Sequence, residues 1–194
     1  MKIKQYTDFV ESLNENKKEN PSYGCVMVFF TFTNLKEIQS QINKDDLYTE
    51  KEDDSYGLEK NPHVTLLYGL HSDDIDDNEV MDSINTDNFT DLILYNISAF
   101  KNDNFDVLKF DIRYPTRGGS FLTKANNILK EFPHTSSFPD YHPHSTVAYL
   151  KPGTSEKYID LLKDKEYTVT PSAIVYSKAD NTEVKKQIKI KNDD

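Results

Sequence analysis

Two short stretches hold residues that can move protons around a phosphate. Pro62-His63-Val64-Thr65-Leu66-Leu67-Tyr68 and Pro143-His144-Ser145-Thr146-Val147-Ala148-Tyr149 share the pattern Pro-His-x-Thr-x-x-Tyr, with the two histidines 81 positions apart. Cleaving a phosphodiester takes a base for the attacking oxygen, an acid for the leaving oxygen, and donors for the charged nonbridging oxygens. Two imidazoles and two hydroxyls supply that set without a metal. A single His-x-Thr arises by chance, and a lone strand histidine is most often structural. A second copy in the same context has no structural reason to repeat histidine after proline.

Each copy opens an apolar run that reads as a strand. Side chains alternate across a strand, so His63 and Thr65 share one face, as do His144 and Thr146. The repeat predicts two strand-and-helix lobes related by a pseudo-twofold axis, with the equivalent strands facing one another. The fold class expected is α+β, with mostly antiparallel sheet and flanking helices around a central cleft. At 194 residues the chain suits one domain, 1–194, with lobe one over 21–90 and lobe two over 91–190.

Along the chain, Tyr6, Phe9, Val10 and Leu13 have helical spacing. Strands are predicted over Cys25 to Phe32, Val64 to Tyr68, Leu92 to Phe100, Val107 to Ile112, Ser145 to Leu150 and Val184 to Ile190. Thr168 to Ser177 reads as strand interrupted by Pro171. Asn102-Asp103-Asn104 reads as a hairpin turn. Helices are predicted over Leu35 to Ile42, capped by Thr33 or Asn34, and over Thr154 to Leu162, capped by Thr154. A further short helix ends within Val80 to Ile84. Leu122, Ala125, Ile128, Leu129 and Phe132 form one face of another, after the break at Arg117-Gly-Gly119.

The formal net charge of −10 argues against long nucleic acid or an anionic membrane as partner, because polyanions repel an acidic surface. A small anionic ligand needs only a local pocket of donors. The acid is concentrated in Lys44 to Asp54 and Ser72 to Glu79, which read as solvated loops, while Lys185, Lys186, Lys189 and Lys191 make the tail locally basic. No stretch reaches the roughly 20 apolar residues of a membrane span, and residues 1–20 do not look like a signal peptide. The single cysteine, Cys25, lies in an apolar run and reads as a buried small hydrophobe. A reducing, cytoplasmic setting is expected.

The paired His-x-Thr motifs resemble those of the two-histidine (2H) phosphoesterases, a family that acts on 2′,3′-cyclic phosphates and related nucleotide bonds. The wording of Asn61-Pro-His-Val-Thr-Leu-Leu-Tyr-Gly-Leu70 and Tyr141-His-Pro-His-Ser-Thr-Val-Ala-Tyr-Leu-Lys-Pro-Gly153 is similar to one branch, the phage anti-CBASS phosphodiesterases, which destroy cyclic di- and trinucleotide messengers. The similarity runs from about Tyr23 to Ile190, taking in Phe105 to Phe110 and Ile174 to Lys178. It implies that His63 and His144 are the acid–base pair, that Thr65 and Thr146 hold the phosphate, and that no cofactor or metal is needed. The family also stacks a base on an aromatic before the first strand and contacts ligand through an acidic residue near the C-terminus. Tyr23 and Glu183 stand at the comparable places, and Phe100 and Phe105 are further stacking candidates.

The expectation is a phosphodiesterase cutting 3′–5′ bonds of cyclic di- or trinucleotides and so countering host antiviral immunity, in the host cytoplasm if phage-encoded. The alternatives are a 2′,3′-cyclic phosphodiesterase of RNA ends or nucleotides, or a sponge that binds without cleaving. A metal hydrolase built on His142 and His144, with Asp140, His134 and His71 as further ligands, is the rival chemistry. It lacks a standard ligand spacing and leaves the first motif unexplained. Oligomeric state is not legible.

Overall fold

The structure, a computed structural model, describes residues 22–51, 53–115, 120–136 and 140–190. The predicted opening helix around Tyr6 to Leu13 and the Arg117-Gly-Gly119 break lie outside the described residues.

The described chain is α+β. Its strands are β1 (Tyr23–Thr31), β2 (His63–His71), β3 (Leu92–Lys101), β4 (Asp106–Arg113), β5 (His144–Leu150), β6 (Tyr167–Ser177) and β7 (Glu183–Gln187). Its helices are α1 (Leu35–Ser40), α2 (Asp77–Ser83), α3 (Phe121–Leu129) and α4 (Glu156–Leu162). All pairings are antiparallel, in the order β2-β1-β6-β3-β4-β5, with β7 on the other part of β6. β6 is long enough to pair β3 through Tyr167 to Val169 and β1 through Thr170 to Ser177, so it joins the two halves. β6, assigned in sequence to the second lobe, thus lies beside β1, and β7 pairs with β6.

Three local readings are corrected. Pro171 does not interrupt β6; a register slip at Phe29/Phe30 on β1 falls opposite it, where proline has no N–H to give the ladder. Thr154 does not cap α4, because its hydroxyl is turned back to the Lys151 carbonyl. The cap comes from β4: the buried Asp106 carboxylate accepts from Gly153 N, Ser155 N and the Ser155 hydroxyl at 3.1, 3.3 and 2.7 Å. At α1, Asn34 holds the cap position but makes no side-chain capping bond.

One face of the sheet carries the main core. Val26, Val28, Phe30, Val64, Leu70 and Ile174 from the β1 half join Leu94, Leu108, Phe110, Val147 and Leu150 from the β4 half, together with the apolar faces of all four helices. A smaller aromatic cluster of Tyr56, Val107 and Tyr149, with Tyr48 and Phe105 against it, anchors the acidic stretch that begins at Lys44. Phe105 therefore serves as packing.

Candidate active site

The motif strands β2 and β5 stand at opposite ends of the strand order, yet they are in contact. What brings them together is reciprocal. The segment leading into β2 lies along the free edge of β5: Tyr48 N donates to Tyr149 O, Tyr149 N to Gly57 O, and Glu59 N to Val147 O. The segment leading into β5 lies along the free edge of β2: His71 N donates to Pro133 O, Thr135 N to Gly69 O, and the Tyr141 hydroxyl to Thr65 O. Each motif strand thus has its edge groups satisfied by the chain that feeds the other. Gly69 is required at this crossing: its φ is +99°, and a Cβ there would lie 1.9 Å from the Thr135 carbonyl oxygen.

The helices repeat the exchange. α1 packs against β5 and α3 against β2. Gln39 on α1 donates to Val147 O (3.1 Å) and Glu59 O (2.7 Å), and the buried Asn126 on α3 donates to Leu66 O (2.7 Å). Val147 and Leu66 are each the third residue after their histidine, so one carboxamide clamps the same point of each motif.

The histidines are held alike as well. His63 Nδ1 lies 2.8 Å from Asn61 O, and His144 Nδ1 lies 2.8 Å from His142 O, in each case the carbonyl two residues back. A carbonyl oxygen only accepts, so each Nδ1 carries the proton, and each Nε2 is left to gain or lose one. His63 packs on Phe29 (ring centroids 5.4 Å apart), and His144 meets the Phe100 ring edge-on (4.9 Å). Burial, first, holds the pKa of His144 below its ordinary 6.5; Lys109 and His63 push the same way, while the His142 carbonyl and Asp111 oppose them. The His144 imidazole therefore senses His63 across the halves.

Register places the remaining candidates, since residues paired across an antiparallel ladder share a face. His63 pairs with Phe29 and Thr65 with Met27, and Cys25 lies on the same face. The Cys25 thiol is hydrogen bonded to Thr65, and burial pushes its pKa up to about 12, which removes it as a nucleophile. The row Tyr68, Cys25, Ser177, Glu183 crosses four strands, so exposed Glu183 stands on the His63 face. Tyr23 pairs with His71 on that face, its ring 6.2 Å from Tyr68 and 6.1 Å from His71. On the other half, Asp111 pairs with His144 and Lys109 with Thr146. Sequence reasoning passed over Lys109 and Asp111. The available signal was two charges, two apart and so on one face, within the apolar run Val107 to Ile112.

Two of the candidate metal ligands are engaged by other groups. His71 binds the Thr135 hydroxyl through Nε2 at 2.9 Å, and His134 Nδ1 binds Phe132 O. Among the described residues no three His, Cys, Asp or Glu side chains come together in an arrangement that could hold a metal ion. Nor is any described helix long and apolar enough to cross a membrane.

The sequence matches no family profile and no curated protein. Solved structures do share its architecture. Usb1 from Kluyveromyces marxianus superposes with a TM-score of 0.55 at 12% identity, over 88% of this chain and 100% of that one. The same protein with uridine monophosphate gives 0.55 at 10% identity, over 85% and 98%. E. coli LigT complexed with 3′-AMP gives 0.46 at 16% identity, over 87% and 96%. The chain has the 2H phosphoesterase-like fold.

Proposed function

We propose that the protein is a metal-independent phosphodiesterase in which His63 and His144 exchange protons across a phosphate held by Thr65 and Thr146. One observation carries this reading: both imidazoles are fixed through Nδ1 by the carbonyl two residues back, leaving both Nε2 atoms for proton transfer. A binding protein has no need of two such groups, since hydroxyls and backbone donors suffice to hold a phosphate.

The wording around both motifs favours cyclic di- or trinucleotides as substrate and the disabling of host CBASS immunity as the purpose. In the first step His144 Nε2, neutral because of its surroundings, takes the proton of a ribose 2′-hydroxyl. The 2′-oxygen bonds to phosphorus, the bond from phosphorus to the 5′-oxygen breaks, and that oxygen leaves with the proton of His63 Nε2. The product is a linear nucleotide ending in a 2′,3′-cyclic phosphate and a 5′-hydroxyl. Water then opens the ring by the reverse transfers, with His63 as base and His144 as acid. In this reading Tyr23 stacks a base and Glu183 contacts the ligand, an assignment supported by their sharing the face of His63.

The test is incubation in excess chelator with 3′–5′ cyclic dinucleotides, cyclic trinucleotides, 2′,3′-cyclic mononucleotides and a cyclic dinucleotide lacking the attacking 2′-hydroxyl, with product analysis. The expected result is linearisation of the ribose-containing rings and survival of the 2′-deoxy analogue. Cleavage confined to the 2′,3′-cyclic mononucleotides would move the substrate to RNA ends or nucleotides. Binding without products would make the protein a sponge. Activity lost in chelator and restored by zinc or manganese would overturn the mechanism.

A further inference from the structure

The two halves match in how they hold their histidines and differ in what lies beside them. In the β1–β2 half, the residues paired with His63 and Thr65 are Phe29 and Met27. In the β4–β5 half, the corresponding partners of His144 and Thr146 are Asp111 and Lys109. Lys109 is a lysine in the middle of a sheet, 8% exposed, in the run Val107 to Ile112, whose other charged residue is Asp111. Its ammonium is ion-paired with Asp111 Oδ1 and lies 4.8 Å above the Phe100 ring. The other Asp111 oxygen accepts from Asn96 Nδ2. Phe100 in turn touches His144, so cation, ring and imidazole form one cluster on the face of Thr146.

Burying an ammonium costs several kcal/mol, and a paired buried ion gives little net stability over an apolar side chain of similar size. The β1 half shows that methionine fills the equivalent place in this architecture. Packing therefore does not account for Lys109. A phosphodiester does, because it brings a full negative charge to a half-site otherwise furnished with the Thr146 hydroxyl and the neutral His144 imidazole, in a protein of net charge −10. Asp111 and the Phe100 face hold the ammonium beside Thr146, so it need not be reordered when the anion arrives.

We propose that Lys109 is the fixed cation of the site: its ammonium binds a nonbridging oxygen of the scissile phosphate on the His144–Thr146 side. This inference rests on the phosphodiesterase reading above. It assigns the charge-bearing contact to one half only, so the phosphate enters with its nonbridging oxygens toward β4.

The test compares wild type, Lys109→Arg and the double variant Lys109→Met/Asp111→Asn, which leaves no carboxylate unpaired. Each is assayed on a cyclic dinucleotide and on its analogue with a neutral methylphosphonate at the scissile position. Binding of inorganic phosphate is followed separately by NMR. The double variant should lose about 10- to 100-fold in kcat/KM on the diester, the scale for removing one preorganised charge-stabilising group. It should lose less than about 3-fold on the methylphosphonate and should no longer bind phosphate, while Lys109→Arg retains phosphate binding. Equal losses on both substrates, or no loss with phosphate binding unchanged, would overturn the inference. If wild type cleaves neither substrate, the phosphodiesterase reading fails by itself. The phosphate titration then decides Lys109 alone: binding by wild type and not by the double variant upholds it, and equal binding or none refutes it. If the double variant does not fold, Lys109→Gln, which keeps a donor but no charge, replaces it under the same criteria.

Discussion

Set side by side, the β1–β2 and β4–β5 halves show what a repeated scaffold fixes and what it leaves free. The backbone devices are duplicated: a carbonyl two residues back on each imidazole, a carboxamide on the carbonyl three residues on, and an incoming segment on the opposite strand's edge. The side chains beneath are not. Cys25, Met27 and Phe29 make an apolar floor under His63, and Lys109 with Asp111 makes an ionic one under His144. On the proposed mechanism, geometry is shared because both halves aim an Nε2 at one phosphate, and electrostatics differ because proton transfer needs one imidazole to begin neutral and the other charged.

The largest effect expected on this comparison comes from the histidines themselves. His63→Ala and His144→Ala should each slow cleavage by about 10²-fold or more with folding and substrate binding largely kept. Loss in one variant only would mean that the halves are not partners in one reaction.

Smaller effects should follow from the crossed clamps. Asn126→Ala should cost about 2 kcal/mol in denaturant unfolding, since it strands the Leu66 carbonyl in the core, and Gln39→Ala about 1 kcal/mol, because the half-buried Gln39 leaves room for water. Among the described residues Asn126 Oδ1 has no hydrogen-bond partner, and its removal offsets part of the loss. The sharper readout is kcat. Each variant should lower it through the opposite motif, and conservative Asn126→Gln or Gln39→Asn should fail to restore it if reach matters. Wild-type kcat in both alanine variants would reduce the clamps to ordinary packing.

The smallest effect is in pH. Burial, Lys109 and His63 hold the His144 pKa below 6.5, so the neutral form persists through neutrality and the acid limb of kcat/KM lies below that value. The same depression means that the stability His144 contributes is full above 6.5 and falls as pH drops through the folded value. Lys109→Met removes a positive neighbour and leaves Asp111, so it should move the His144 titration, read by NMR, upward. A downward shift or none would show that Lys109 does not reach the imidazole.

Much of this was legible in the sequence. Strong period and β-branched or aromatic content announced the strands that carry the motifs, and the Asn102-Asp103-Asn104 turn announced the β3–β4 hairpin. The repeat itself disclosed the pair of histidines. What local pattern could not show was long-range partnering. Asp106 caps a helix 49 residues away, and Gln39 reaches a carbonyl 108 residues on. A local candidate such as Thr154 is the natural choice until that partner is in place. Lys109 and Asp111 were hidden for a different reason: alternation on β4 sets them on one face, but only the pairing with β5 shows that it is the face of His144.

The most direct test of the account is a double-mutant cycle on folded, chelator-treated protein, with linearisation of one cyclic dinucleotide measured for wild type, His63→Ala, His144→Ala and the double variant. If the two halves form one acid–base machine, the double variant loses little more than either single variant, because removing one partner already disables the concerted transfer. Single effects that multiply, or a double variant that still cleaves near the wild-type rate, would contradict the claim that these two imidazoles act together on one phosphate.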